Sequence, residues 1–98
     1  MISTLLTFQY DDTFNEEKIT RIAEGARSKF EGMPGLRSKA FSCSVERKQA
    51  LNFYVWESAD SAKAFFTPDN IAMIAGIYGA TPDICYLDVK VLVDNHKA

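Results

Sequence analysis

Asn52, Tyr54 and Trp56 occupy every second position of the stretch NFYVW, interleaved with Phe53 and Val55. Side chains of an extended chain alternate between faces, so the amide, the phenol and the indole fall together on one side. Leu51, Phe53 and Val55 fall on the other. All three polar groups can donate a hydrogen bond. Donors on an aromatic wall can hold a planar ring and stabilise an oxygen that gains negative charge during a reaction. The same residues also serve plain packing. Trp56 is a large core side chain, and a buried Asn52 must find a partner, which can be backbone at a bulge as well as a ligand in a pocket. Other chemistries lack their residues. There is no Ser/His/Asp set, no paired-carboxylate signature and no phosphate-cradling glycine loop. Two cysteines, Cys43 and Cys85, without a C-x-x-C motif or a histidine cluster, give no metal site.

The elements that must position this trio can be read from periodicity. Met1 to Tyr10 mixes β-branched and aromatic residues with partial alternation and is a predicted strand. Thr13-x-x-Glu16 has the form of a capping box. Ile19, Ile22, Ala23, Ala26 and Phe30 then form one apolar stripe of a helix, which Gly32 and Pro34 stop. Leu36 to Glu46 is a second strand, in which Ser38, Ala40, Ser42 and Ser44 alternate with Arg37, Lys39, Phe41, Cys43 and Val45. ERKQ makes a polar turn, and Ala50 to Glu57 returns as the third strand. Ser58 caps a second helix, interrupted at Thr67-Pro68 and restarted through Ile71, Ile74, Ala75 and Tyr78 to Gly79. Ile84 to Val93 is a fourth strand.

The order β-α-β-β-α-β predicts an α+β, ferredoxin-like domain with an antiparallel sheet ordered 4-1-3-2 and both helices on one face. Its 98 residues make a single domain, 1–98. Leu6, Phe8, Leu87, Val89 and Val91 are too apolar to meet water, so a second copy covering the remaining sheet face, a homodimer, is expected. Cys43 and Cys85 then lie on opposite outer strands, too far apart for a bridge, and are read as small buried hydrophobes.

Composition narrows the partners. With 47% hydrophobic and 24% charged residues the chain is globular, and a net charge of −2 without a basic run gives no reason to expect nucleic acid or an anionic membrane. Arg47/Lys48 and Arg37/Lys39 read as strand and turn solubilisers. No apolar stretch reaches the ~18 residues of a bilayer span. The opening MISTLLTFQYDD lacks the form of a signal peptide, so a cytoplasmic location with reduced thiols is expected.

Met33-Pro34-Gly35 before a strand, and VWESADSAKAF across a strand-to-helix junction, resemble the antibiotic biosynthesis monooxygenase family. The resemblance implies a dimeric α/β barrel of two ferredoxin-like protomers. The segment IYGATPDICYLDVKVLVDN looks closest to the small YdhR-like proteins of that superfamily. In the haem-degrading branch a helix tryptophan and an axial histidine would fall at Phe65 and Ala75. Alanine cannot ligate iron, and the one histidine, His96, is a tail residue, so haem chemistry is not expected.

The anthrone-oxidising branch carries N-x-x-x-W on its third strand, which Asn52 and Trp56 match. That likeness implies a cofactor-independent monooxygenase acting on an aromatic or enolisable small molecule, of the anthrone or quinol kind. Asn52 and Trp56 would be its catalytic residues, lining one cavity between sheet and helices. No metal or cofactor is implied, because a deprotonated anthrone can itself reduce O₂. The branch's tyrosine beyond the tryptophan appears here as Ala62 and its helix arginine near Gly76, so Tyr54, Tyr78, Tyr86 and Arg37 become the candidate substrate contacts. Two alternatives remain: a non-catalytic dimer that binds a small apolar molecule or assists a pathway, and a polyketide cyclase or isomerase on the same pocket.

Overall fold

A computed structural model describes residues 1–95 of the chain. Seven elements follow in order: β1 (Ile2–Gln9), α1 (Glu16–Phe30), β2 (Leu36–Ser44), β3 (Gln49–Trp56), α2 (Ala59–Phe65), α3 (Pro68–Tyr78) and β4 (Asp83–Asp88). The four strands form one antiparallel sheet in the order β2-β3-β1-β4, which is the expected ferredoxin-like arrangement. The interrupted second helix is two separate helices. Thr67 caps α3 through Asn70 N–H, and Pro68 fills its first turn, where a missing N–H costs nothing. Gly79 ends α3 in the left-handed conformation at φ 71°.

Local chemistry moves three boundaries. The cap of α1 is Asn15, whose side chain accepts from Lys18 N–H at 3.0 Å, rather than Thr13. Thr13 instead lies in the preceding turn, its N–H donating to Asp11 at 3.5 Å. The β2–β3 turn spans Val45 to Lys48, closed by Lys48 N–H donating to the Val45 carbonyl at 3.3 Å, so β2 stops at Ser44 opposite Gln49. β4 ends at Asp88 instead of Val93: Asp88 pairs with Ile2, the first residue of β1, and Val89 N–H reaches the Met1 carbonyl at 3.4 Å.

The helices cover one face of the sheet. Ladder pairing sets Leu6 beside Asn52, Thr4 beside Tyr54, and Phe8 beside Ala50, and all six are buried beneath the helices. Leu6 and Phe8 therefore belong to the core of the single chain and not to the open face. The open face carries Leu5, Leu51, Phe53 and Leu87 instead, with Phe53 and Leu87 exposed. Cys85 is exposed on that same face, contrary to the expected burial, and Cys43 is half-buried on β2. Both are free thiols at opposite edges of the sheet. No helix among the described residues is long and apolar enough to cross a membrane.

Gly35 locks the turn before β2 against the start of α2. It sits at φ 82°, where a side chain is strained, and an added Cβ would lie 2.6 Å from Ser61 Oγ. Its carbonyl accepts from Glu57 N–H at 2.9 Å, and Ser58 caps α2 through Ser61 N–H. The two segments that carry the family resemblance thus pack on one another.

Candidate active site

Two neighbouring cavities lie between the sheet and the helices. The larger, about 550 Å³, runs between α1 and β2; the smaller, about 340 Å³, lies between α1, α3 and the middle of the sheet. Phe30, Lys39, Phe41, Asn52 and Tyr78 line both and form the partition between them. These volumes are in the range that holds a small organic ligand.

Asn52 is 2% exposed, at the centre of β3 on the helix side. Its Nδ2 donates to the Tyr78 hydroxyl at 3.0 Å. The Tyr78 hydroxyl faces Asn52 Oδ1 at a longer 3.5 Å. The partner of Asn52 is therefore a side chain across the cavity, not backbone at a bulge. An amide nitrogen has two N–H groups, so one remains for a ligand, and the weakly engaged Tyr78 hydroxyl hydrogen can turn to the same ligand. Tyr78 is positioned by stacking on Phe8, with ring centroids 4.1 Å apart, and its carbonyl accepts from the Tyr10 hydroxyl at 2.6 Å. Burial raises the pKa of Tyr78, partly opposed by the Asn52 hydrogen bond, and keeps it a neutral donor.

Trp56 stands elsewhere. It lines neither cavity, is 1% exposed, and donates through its indole N–H to Thr4 Oγ1 at 3.0 Å. It stacks on Tyr54 at 5.4 Å and packs on Phe65 and Phe66. The expectation that Asn52 and Trp56 share one cavity wall therefore fails on geometry: the strand alternation is as read, but α2 closes over its Trp56 end with two phenylalanines. Tyr54 lines the smaller cavity, and burial raises its pKa strongly. Arg37 lines the larger cavity, with its guanidinium 3.9 Å from Glu57 at the surface. Tyr86 is exposed on β4, near Phe66, and lines neither cavity. Phe65 is half-buried at the end of α2, packed against the core and lining the smaller cavity, and Ala75 is half-buried on α3; His96 lies outside the described residues.

One group escaped the sequence reading. Lys39, taken for a solubiliser, points inward from β2 between the two cavities. Its Nζ lies 3.4 Å from the centroid of the Phe30 ring, 4.0 Å from Phe41 and 4.3 Å from Tyr54, and donates to the Tyr54 hydroxyl at 3.1 Å. Burial, with a smaller push from nearby Lys29, lowers its pKa to about 7. A signal was present: Lys39 shares strand parity with Phe41 and Cys43, the inward side, whereas a solubiliser belongs with Ser38 and Ser42. Among the described residues no cluster of three metal-ligating side chains occurs.

No protein-family model matches the chain, and no curated protein matches it. Solved structures do. The ActVA-Orf6 monooxygenase of Streptomyces coelicolor, determined with nanaomycin D, superposes with a TM-score of 0.71 at 16% identity, over 97% of this chain and 92% of that one. SnoaB, a cofactor-independent oxygenase of Streptomyces nogalater, gives 0.67 at 12% identity over 94% and 95%. An inferred antibiotic biosynthesis monooxygenase of Bordetella bronchiseptica gives 0.69 at 18% identity over 93% and 97%. The chain has the fold of the antibiotic biosynthesis monooxygenases. At these identities the antibiotic biosynthesis monooxygenase structures share its backbone, and its chemistry has to be argued from its own side chains.

Proposed function

We propose that the protein is a cofactor-independent monooxygenase that oxidises an aromatic or enolisable small molecule of the anthrone or quinol kind. The observation that carries this reading is the Asn52–Tyr78 pair, buried at the partition of two aromatic-walled cavities with donor capacity to spare. A ring held against Phe30 and Phe41 would place its oxygen at these donors, and the anion formed by deprotonation would be stabilised more than the neutral ketone. Such an anion is electron-rich enough to reduce O₂ itself, so the protein's tasks are to bind, hold charge and exclude water. One fold neighbour, SnoaB, is a cofactor-independent oxygenase, which agrees with this division of labour. Trp56, under this reading, acts by holding Tyr54 in place rather than by touching substrate.

The working unit we propose is a cytoplasmic homodimer. Its support is the sheet face away from the helices, where Leu5, Leu51, Phe53 and Leu87 form an apolar surface that a second copy would cover. The two free thiols fit a reducing compartment.

Oxygen uptake with a panel of anthrones and quinols, in metal-chelated and flavin-free buffer, tests the reaction. One O₂ consumed per substrate oxidised, abolished by heat-unfolding the protein, supports it. Tight binding of the same compounds without oxygen uptake would leave a ligand carrier in its place.

A further inference from the structure

The proposed reaction needs a group that removes the first proton, and the expected catalytic pair, Asn52 and Trp56, contains none. We propose that Lys39 is this catalytic base: as a neutral amine caged by Phe30, Phe41 and Tyr54, it takes a proton from an enolisable substrate lying between it and Asn52. The proposal rests on the monooxygenase reading and deepens it.

Placement comes from the sheet. Lys39 pairs with Tyr54 and Phe41 pairs with Asn52, so Lys39 and Asn52 are diagonal neighbours on adjacent strands, with backbones roughly 7–8 Å apart. Both face the helices and both line the two cavities. A ligand at the partition therefore meets an amine on one side and an amide–phenol donor pair on the other.

The cage suits a group that must accept a proton and then keep it. Burial disfavours the ammonium and brings the amine's proton affinity towards that of an enol or phenol. Three ring faces within 4.3 Å favour the ammonium once it forms. Both states are thus accessible near neutral pH, which is the condition for efficient general base catalysis. The surrounding titratable groups agree. From α1, Lys29 lies over the Phe30 and Phe65 rings and opposes a charge on Lys39. Arg27 and Glu24, also on α1, and its C-cap Glu31 line the larger cavity as exposed residues, and Arg37 on β2 leans to Glu57. From β3 comes Tyr54 and from α3 Tyr78, both held neutral by burial. Among the described residues no carboxylate forms an ion pair with Lys39.

The step balances as follows. The Lys39 Nζ lone pair takes a proton from the substrate's acidic CH₂. The C–H electron pair moves into the ring system, and the carbonyl oxygen becomes an enolate held by Asn52 N–H and Tyr78 O–H. The enolate carbon reduces O₂ and bonds to it. The Lys39 ammonium returns its proton to the outer peroxide oxygen. Loss of the second C–H proton with cleavage of O–O then gives a C=O group and one water.

Hydrogen–deuterium exchange at the methylene of anthrone, run without oxygen in D₂O, isolates the first step. Wild-type protein should accelerate exchange, with a rate that rises with pH through a midpoint well below that of an ordinary lysine. Lys39→Met should lower the acceleration by about 10²–10⁴-fold. Lys39→Arg should do the same, because a guanidinium keeps its proton and cannot act as a base. Lys39→Met puts an apolar side chain of similar length into an aromatic cage and should fold, as circular dichroism will verify. Exchange unaffected by Lys39→Met, exchange retained in Lys39→Arg, or no acceleration by the wild type would each overturn the assignment. Admitting air separates the two claims. Exchange without oxygen uptake removes the monooxygenase reading and leaves the base, whereas oxygen uptake at full rate in Lys39→Met removes the base and leaves the monooxygenase.

Discussion

At one end of β3, Trp56 stacks on Tyr54, gives its indole N–H to Thr4 and is sealed under Phe65 and Phe66. Four residues earlier on the same face, Asn52 meets another side chain across open volume and retains donor capacity. One strand thus presents a closed end and an open end. The difference is set by what lies above it: the end of α2 and its cap bring two consecutive phenylalanines to the Trp56 end, while a cavity lined by α1 and α3 lies over Asn52. Polar side chains on a shared face acquire different roles according to whether their hydrogen bonds are completed by protein alone.

The largest contrast expected between the two ends is in stability. Trp56→Ala removes a fully buried indole and should cost about 3–5 kcal/mol in urea unfolding, whereas Asn52→Ala, which leaves the Tyr78 hydroxyl partly unpaired beside a cavity, should cost about 1–3 kcal/mol. Equal losses would erase the distinction between a packed end and an open one. A smaller loss is expected where the strand's end is tied to the helix. Gly35→Ala places a Cβ against Ser61 at a left-handed backbone position and should lower stability by roughly 1–2 kcal/mol, through both contact and strain.

The third prediction concerns pH. The unfolded chain holds the Lys39 proton up to its ordinary 10.5, and the folded chain only to about 7. Between these values the unfolded state binds more protons, so stability should rise with pH across that window. Below about 7 the amine is charged in both states and its contribution is flat. Lys39→Met should remove the part of the rise that Lys39 causes, as read by unfolding midpoints at a series of pH values; an unchanged slope would show that Lys39 is solvated.

The open sheet face yields the prediction with the weakest energetic signature. The chain should behave as a species of roughly 22 kDa, twice 11.0 kDa, in light scattering at micromolar concentration. Phe53→Glu should shift that mass towards the monomer while leaving the fold intact. A monomeric mass for the wild type would contradict the dimer.

Much of the fold was legible in the residues. The stripe from Ile19 to Phe30, the strand alternation and the stop at Gly79 are local signals, and they give the order of elements and hence the sheet topology. What the sequence could not show depended on partners distant in the chain. Val89 to Val93 have strand residues, but the ladder of β1 and β4 ends where Asp88 meets Ile2. Leu6 and Phe8 look equally apt for a dimer face or a core, and only the register with Asn52 and Ala50 decides. The site was half legible for the same reason. Alternation put Asn52, Tyr54 and Trp56 on one face, yet which of them meets a cavity depends on where α2 crosses. Lys39 was hidden by its type, because a lysine in a strand with four small polar or alanine neighbours reads as a surface residue until its parity with Phe41 is weighed.

Oxygen uptake by Asn52→Ala and Trp56→Phe, compared side by side with the wild type on the best substrate of the anthrone and quinol panel, tests the central claim most directly. The Asn52–Tyr78 end of β3 is predicted to carry the chemistry, so Asn52→Ala should lose about 10²-fold in turnover, as for one missing oxyanion donor. Trp56→Phe should keep turnover within a few-fold while losing some stability. Full turnover in Asn52→Ala together with a collapse in Trp56→Phe would contradict the account and return the active centre to the indole.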